Sequence, residues 1–337
     1  MESRYSRQII FEQIGEDGQK KLLNSTIAII GLGALGTVSA NNLTRAGIGH
    51  IKLIDRDYVE LSNLQRQLLY TEEDVVNEKP KAIAAFDHLT KINSSIKLEP
   101  IIADVNSVNI EQMLSGCDLI LDCTDNFETR FLINEVCDKQ RIPWIYCGAI
   151  GSSCMTMNII PGETPCFHCL SGNTDTFGPA QTCSTVGVLN MATSIAASIQ
   201  SSEAIKILLG SEDIRKSLFF IDIWNNSAEY LGVLINPSCP VCGEHIYAQL
   251  GKSPISYATS LCGRNEIQVV PGKAIHINFE ELADTLTRLG DVTYNNFMLK
   301  FHDEKISIKL FNDGRAIIEN AKDLNHAKAV YTAYLGY

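Results

Sequence analysis

Ser25-Thr26-Ile27-Ala28-Ile29-Ile30-Gly31-Leu32-Gly33-Ala34-Leu35-Gly36 is the stretch that decides the fold. Ser25 to Ile30 reads as a buried strand and Thr37 to Ala46 as the helix after it, with Gly31, Gly33, Ala34 and Gly36 forming the turn between them. In a strand-turn-helix unit of this kind, glycines let the backbone come close to a phosphate held at the helix N-terminus. The turn alone points only to a nucleotide. Ser62-Asn63-Leu64-Gln65-Arg66-Gln67 begins 26 residues after Gly36. It supplies a guanidinium and amides that a dinucleotide pyrophosphate does not require but a triphosphate can use.

Outward from this stretch the chain alternates strand and helix. His50 to Ile54 is a second strand, ending in Asp55, 24 residues past Gly31. A carboxylate there accepts hydrogen bonds from ribose hydroxyls; the alternative is that Asp55, or Asp57 beside it, caps the following turn. Lys79 to Ile92 reads as a helix, Ile96 to Ala103 and Asp118 to Cys123 as strands, and Asn126 to Gln140 as a helix. The strands are short and continuously apolar, as in a parallel sheet buried on both faces. From Pro143 the candidate strands come in closer succession, at Trp144 to Ala149, Cys154 to Ile160, Leu218 to Ile223 and Ser227 to Ile235. The expected fold is therefore α/β, a Rossmann-like doubly wound sheet that is parallel first and mixed later.

Ser171 to Thr185, rich in Gly, Thr, Ser and Pro, is expected to be a mobile crossing segment before a long helix from Val186 to Leu209. At 337 residues the chain exceeds the usual size of one domain. We divide it into residues 1–250 and a small α+β domain over 251–337. In the latter, Ser253 to Gly272 looks irregular. Phe279 to Leu289, Phe297 to Phe301, Lys305 to Phe311, Ala316 to Glu319 and Asp323 to Tyr334 read as helix, three strands and helix.

Composition narrows the function. A net charge of −11 with no clustered basic face argues against nucleic acid, whose binders need cations to displace counterions. The first residues, Met1 to Arg7, lack the apolar core of a signal peptide, so the expected location is cytoplasmic. Val186 to Leu209 is interrupted by Asn190, Gln200, Glu203 and Lys206, which fits a buried helix better than a membrane span. The 11 cysteines, in that setting, read as buried thiols plus metal or catalytic groups.

Asp118 to Asn126 ends a buried strand in polar residues, at the edge where open α/β sheets place ligands. Asp125 is a candidate Mg²⁺ ligand against nucleotide oxygens, with a helix N-cap as its other reading. Lys81, after Pro80, is a compact charge within reach of phosphates or a solvated surface lysine. Arg7 has a bland reading as a charge beside an amphipathic segment. Cys166-Phe167-His168-Cys169 and Cys239-Pro240-Val241-Cys242 are two C-x₂-C knuckles, whose four thiolates suit a closed, structural zinc site; a redox dithiol is the competing reading. His168 and His245 are read as neighbours of that site. Cys183, ahead of a helix N-terminus, is a candidate nucleophile or an unreactive loop cysteine.

Arg7-Gln8, the glycine turn, Asp55, Ser62 to Gln67, Pro80-Lys81, Thr124-Asp125-Asn126 and the two knuckles together resemble the bacterial ubiquitin-activating-like adenylyltransferases, the ThiF and MoeB family, over residues 3–245. The resemblance implies ATP-dependent adenylylation of the C-terminal glycine of a ubiquitin-like sulfur carrier ending in Gly-Gly. A sulfur donor such as a cysteine desulfurase would act afterwards. By the same resemblance Asp55 binds ribose, Asn63, Arg66 and Lys81 hold the triphosphate, Asp125 positions Mg²⁺, and Arg7 reaches across a homodimer interface to the partner's ATP. Asp118 to Asn126 resembles the molybdopterin branch, so the expected carrier is the small subunit of molybdopterin synthase, with the thiamine-thiazole carrier as the alternative. A nicotinamide-dependent oxidoreductase would leave Arg66, Lys81 and the knuckles without a purpose, and a non-catalytic scaffold subunit usually loses the arginine or aspartate. The tail is extra to minimal family members. Its Cys262-Gly263-Arg264 has the wrong spacing for a rhodanese loop.

Overall fold

The structure, a computed structural model, describes residues 3–172, 186–252, 257–260, 266–271, 277–303 and 305–335. Cys183, most of the expected crossing segment and Cys262 to Arg264 lie outside the described residues. The chain divides into two compact units, Met1–Lys252 and Ser253–Tyr337.

The first unit runs α1 (Ser6–Ile9), α2 (Gly15–Asn24), β1 (Thr26–Ile30), α3 (Ala34–Ala46), β2 (His50–Asp55), α4 (Glu72–Val76), α5 (Lys81–Ile92), β3 (Lys97–Ile102), α6 (Ile110–Leu114), β4 (Leu119–Asp122), α7 (Phe127–Gln140), β5 (Trp144–Ile150), β6 (Ser153–Ile159), α8 (Phe167–Ser171), α9 (Asn190–Leu209), β7 (Leu218–Asp222) and β8 (Ser227–Leu231). Among the described residues its strands form one eight-stranded sheet in the order β3-β2-β1-β4-β5-β6-β7-β8. Pairing is parallel from β3 through β5 and antiparallel from β5 to β8. The sheet is thus parallel then mixed, as the sequence predicts.

Alternation along the strands builds a core on each face. Ile27 and Ile29 of β1 with Leu119 and Leu121 of β4 join α3, α5 and α9 on one side. Ala28 and Ile30 with Ile120 join α6 and α7 on the other. The strand order reverses between β1, which continues through β2 to β3, and β4, which continues to β5. In open α/β sheets the crevice at the carboxyl ends of two such strands is where ligands bind. Gly31 and Asp122-Cys123-Thr124-Asp125 sit at those ends.

Several boundaries differ from the sequence reading. Helix α3 starts at Ala34 because the glycine turn runs straight into it, and Gly36 is already helical. Helix α9 starts at Asn190, since Val188 bridges to Gly151 beforehand. Strand β8 ends at Leu231.

Buried Gln200 of α9 ties both faces of the switch region together. Its amide nitrogen donates to Asp122 O and Ile145 O, at 2.9 and 3.0 Å, and its oxygen accepts from Ser39 Oγ and Cys123 Sγ.

The second unit holds β9 (Tyr257–Ser260), β10 (Glu266–Val270), α10 (Phe279–Leu286), β11 (Asp291–Tyr294), β12 (Met298–His302), β13 (Ser307–Phe311), β14 (Ala316–Glu319) and α11 (Leu324–Leu335). Its described strands make a six-stranded sheet in the order β11-β12-β13-β14-β10-β9, antiparallel at every pairing. The expectation of an irregular Ser253 to Gly272 is corrected here. Ile267 and Val269 alternate into a core with Leu299, Phe301, Ile308, Leu310 and Tyr331, which makes a strand out of a segment bounded by Gly and Pro.

Replacing Gln200 by Leu leaves two buried carbonyls and a hydroxyl short of a partner. It is expected to cost about 3 kcal/mol of unfolding free energy, read by urea denaturation, with an unchanged m-value.

Candidate active site

The three turn glycines have different physical reasons. Gly31 has φ of +90°, and a Cβ there would lie 2.6 Å from Cys123 O, so β1 and β4 meet too closely for a side chain. A Cβ on Gly36 would overlap the Gly31 carbonyl. Gly33 is different, because a Cβ would meet nothing described nearer than Gln67 Nε2, at 3.8 Å. It caps α3, and the open side of its backbone faces the crevice where that helix presents free N–H groups.

Around this turn the chain gathers charge. Asp55, closing β2, accepts from Leu32 N at 2.6 Å and Asp57 N at 2.7 Å, so it holds the turn and also caps the bend that follows. Both sequence readings of Asp55 are compatible with this, since each oxygen keeps a lone pair for a ribose hydroxyl. Burial pushes its carboxyl above the usual range, against the pull of Lys81. Lys81 is buried at the start of α5, with Nζ 3.4 Å from Asp57 Oδ2. Burial works against its charge, but Asp57, Asp55 and Asp125 together outweigh it and raise its pKa. The reading of Lys81 as a solvated surface lysine does not hold.

Asp125 is exposed, past the end of β4, and its side chain makes no hydrogen bond among the described residues. The N-cap reading of Asp125 is corrected: Asn126 caps α7, accepting from Thr129 N at 2.8 Å. This leaves the Asp125 carboxylate for a hard cation, a chemistry that suits Mg²⁺ beside nucleotide oxygens.

The segment from Leu61 to Tyr70 lies along the glycine turn. Tyr70 Oη donates to Leu32 O at 2.8 Å, and Gln67 faces Gly33. Asn63 is buried, accepting from Glu60 N at 3.2 Å, whereas Ser62 and Gln65 are exposed. Arg66 is half-buried, donates to Ser62 O at 3.0 Å, and pairs with no carboxylate among the described residues.

One charged pair escaped the sequence reading. Arg130 of α7 donates to Asp122 Oδ2 at 3.1 Å and to Thr124 O at 2.6 Å, and its guanidinium lies 5.5 Å from the Phe127 ring and 5.1 Å from Tyr146. Thr124 N and Oγ1 donate to the other Asp122 oxygen. Burial pushes the Asp122 carboxyl up while Arg130 opposes it. The pair fixes the strand end that carries Asp125. A buried aspartate ending an apolar strand was the signal that a counter-charge is needed.

Arg7 is not brought to this site within the chain. It is exposed on α1, whose neighbour Tyr5 packs on Gly47 beyond the C-terminal end of α3. The glycine turn lies at the other end of that 13-residue helix, roughly 20 Å away.

The four knuckle sulfurs do come together. All lie within 4.8 Å of one another, with Cys166 to Cys239 at 3.6 Å and Cys169 to Cys242 at 3.5 Å. A tetrahedron with 2.3 Å zinc–sulfur bonds has edges of about 3.8 Å, whereas a disulfide needs about 2.05 Å. The geometry fits zinc and not a redox dithiol. Burial pushes the Cys166 thiol up to about 12, so a cation is what would hold it as thiolate. His168 and His245 stand outside the cluster; His245 bonds Asp138 at 2.8 Å. Glu135 accepts from Gln249 N and Leu250 N, anchoring the segment after the second knuckle on α7.

A family model described as the ThiF family matches residues 5–241. The chain belongs to the ThiF family. A sulfur carrier protein ThiS adenylyltransferase from Bacillus subtilis is 40% identical over the whole of both chains. A molybdopterin-synthase adenylyltransferase from Escherichia coli is 36% identical, over 72% of this chain and 96% of its own. Among solved structures, E. coli MccB with ATP superposes with a TM-score of 0.62 at 25% identity, covering 72% of this chain and 75% of that one. As a ThiF-family member this protein is an adenylyltransferase. Among the described residues, no helix is long and apolar enough to cross a membrane.

Gly36→Ala is expected to lower Tm by several degrees, whereas Gly33→Ala keeps the wild-type Tm and loses ATP affinity at least tenfold, by calorimetry. Stripping metal with a strong chelator should release stoichiometric zinc by elemental analysis and lower the Tm, and Cys242→Ser should copy that loss.

Proposed function

We propose that this ThiF-family protein activates the C-terminal carboxylate of a ubiquitin-like, Gly-Gly-ended sulfur carrier by transferring AMP to it from ATP. The observation that carries the reading is the grouping of the open Gly33 backbone, buried charged Lys81 and unencumbered Asp125 at one crevice. The phosphates lie at the N-terminus of α3, the ribose against Asp55, and Arg66, Asn63 and Lys81 on the triphosphate. One carboxylate oxygen attacks the α-phosphorus, and the bond from that phosphorus to the bridging oxygen breaks. Pyrophosphate leaves with the electron pair. Two anions must meet for this, so fixed cations stabilise the charge that develops, and no protein nucleophile is needed. Mg²⁺ held at Asp125 would neutralise the same oxygens.

The donor set Cys166, Cys169, Cys239 and Cys242 holds a structural zinc, with no open position for chemistry. Arg7 acts in trans in a homodimer, consistent with its place at the far end of α3. Cys183 is proposed as the residue that receives the activated acyl group or sulfur, and a cysteine desulfurase as the donor. The cytoplasm is the proposed location.

Both the molybdopterin and the thiazole carrier fit the geometry. The relative matched over the full length, including the second unit, is a ThiS adenylyltransferase, which favours the thiazole carrier.

Isotope exchange between pyrophosphate and ATP, dependent on carrier, tests the reading. Arg66→Ala and Asp125→Ala should each lower the exchange rate constant at saturating ATP by roughly a hundredfold or more; normal exchange in either contradicts the assignment. Arg7→Ala and Asp125→Ala chains, inactive separately, should regain activity when mixed into heterodimers, and failure of that rescue removes the role across subunits.

A further inference from the structure

Gln67 has no role in the assignments above, yet its surroundings are those of a ligand contact. It is 4% exposed, and its Oε1 is fully buried with no hydrogen-bond partner among the described residues. Its Nε2 is the nearest atom to the space a side chain on Gly33 would occupy. The two facts are independent and meet at one place. Gly31 and Gly36 are glycine because backbone crowds them; nothing described crowds Gly33. The remaining reason for leaving position 33 bare is that something other than protein fills the space in front of it.

An oxyanion seated on the turn's N–H groups there lies within reach of the Gln67 amide, whose N–H donates to phosphate oxygen. The amide's setting is rigid. Gln67 N donates to Asn63 O at 3.0 Å, and Tyr70, three residues on, is bonded to Leu32 O and Lys81 O at 2.8 and 3.3 Å. A buried, half-satisfied amide costs free energy in the empty protein, and a ligand that bonds its nitrogen offsets part of that cost.

We propose that Gln67 is a nucleotide-contacting residue of this site, its Nε2 donating to the phosphate oxygen that rests on Gly33. This rests on the functional reading above and adds a residue to it. Because the contact is to phosphate and not to base or ribose, it separates ATP from adenosine.

The test compares ATP and adenosine binding by calorimetry in wild type, Gln67→Leu and Gln67→Glu, with thermal unfolding as the folding control. ATP affinity is expected to fall roughly ten- to a hundredfold in the leucine variant, the worth of one hydrogen bond to an anionic group, and further in the glutamate variant. Adenosine affinity should stay within about twofold. Equal loss for both ligands, or no loss for ATP, overturns the proposal. Should either variant fold poorly, a crystal structure of the wild-type protein with a non-hydrolysable ATP analogue decides: Nε2 within hydrogen-bond distance of a phosphate oxygen supports the contact, and Nε2 bonded only to protein refutes it. If the wild type exchanges pyrophosphate while Gln67→Leu keeps full ATP affinity, only this inference falls. If the wild type binds no ATP, the functional reading falls and takes it along.

Discussion

The structure turns on a contact made possible by missing side chains. The Gly36 Cα sits against the Gly31 carbonyl, and Gly31 against the Cys123 carbonyl, at the point where the sheet order reverses. That approach brings the end of β4 beside the start of α3, so the carboxylates that follow β4 and the free N–H groups of the helix share one crevice. A single methyl on either glycine would have to push two strand ends apart. The packing requirement and the phosphate-binding requirement therefore fall on the same few residues.

Electrostatics follows from this placement. Buried Lys81 stays charged because three carboxylates, Asp57, Asp55 and Asp125, surround it at the crevice. Lysine with aspartates is a resting arrangement for a site meant to receive a polyanion, since each phosphate can replace a carboxylate as the cation's partner. Arg130, sandwiched by aromatic rings and bonded to Asp122, fixes the platform from below without facing the ligand. Zinc ligation performs a separate task, joining the segment after β6 to the one after β8 without adding a hydrophobic core of its own.

Much of this was legible in the sequence, for physical reasons. Strands such as Thr26–Ile30 are buried on both faces and read as unbroken apolar runs, and the glycine turn and C-x₂-C pairs carry spacing that chance rarely supplies. What escaped was set by tertiary contact. Glu266–Val270 is short and lies between Gly and Pro, and only its pairing with β9 and β14 makes it a strand. Asp291–Tyr294 is a mostly exposed edge strand that leaves no periodic trace. Asp125 and Asn126 are both good helix caps by type, and only the backbone path chooses Asn126. Gln67 was visible as part of the arginine segment, but its unpaired oxygen is a property of the fold. Arg7 shows the opposite limit: its motif is readable, and its own chain offers no site for it to act on.

Intact-mass spectrometry of a Gly-Gly-ended carrier incubated with the protein, ATP and Mg²⁺ tests the central claim most directly. The account predicts a carrier heavier by one adenylyl group, dependent on the enzyme and lost when the terminal glycine is removed. A carrier that keeps its mass while ATP is turned over, or AMP found on the enzyme in place of the carrier, would contradict it.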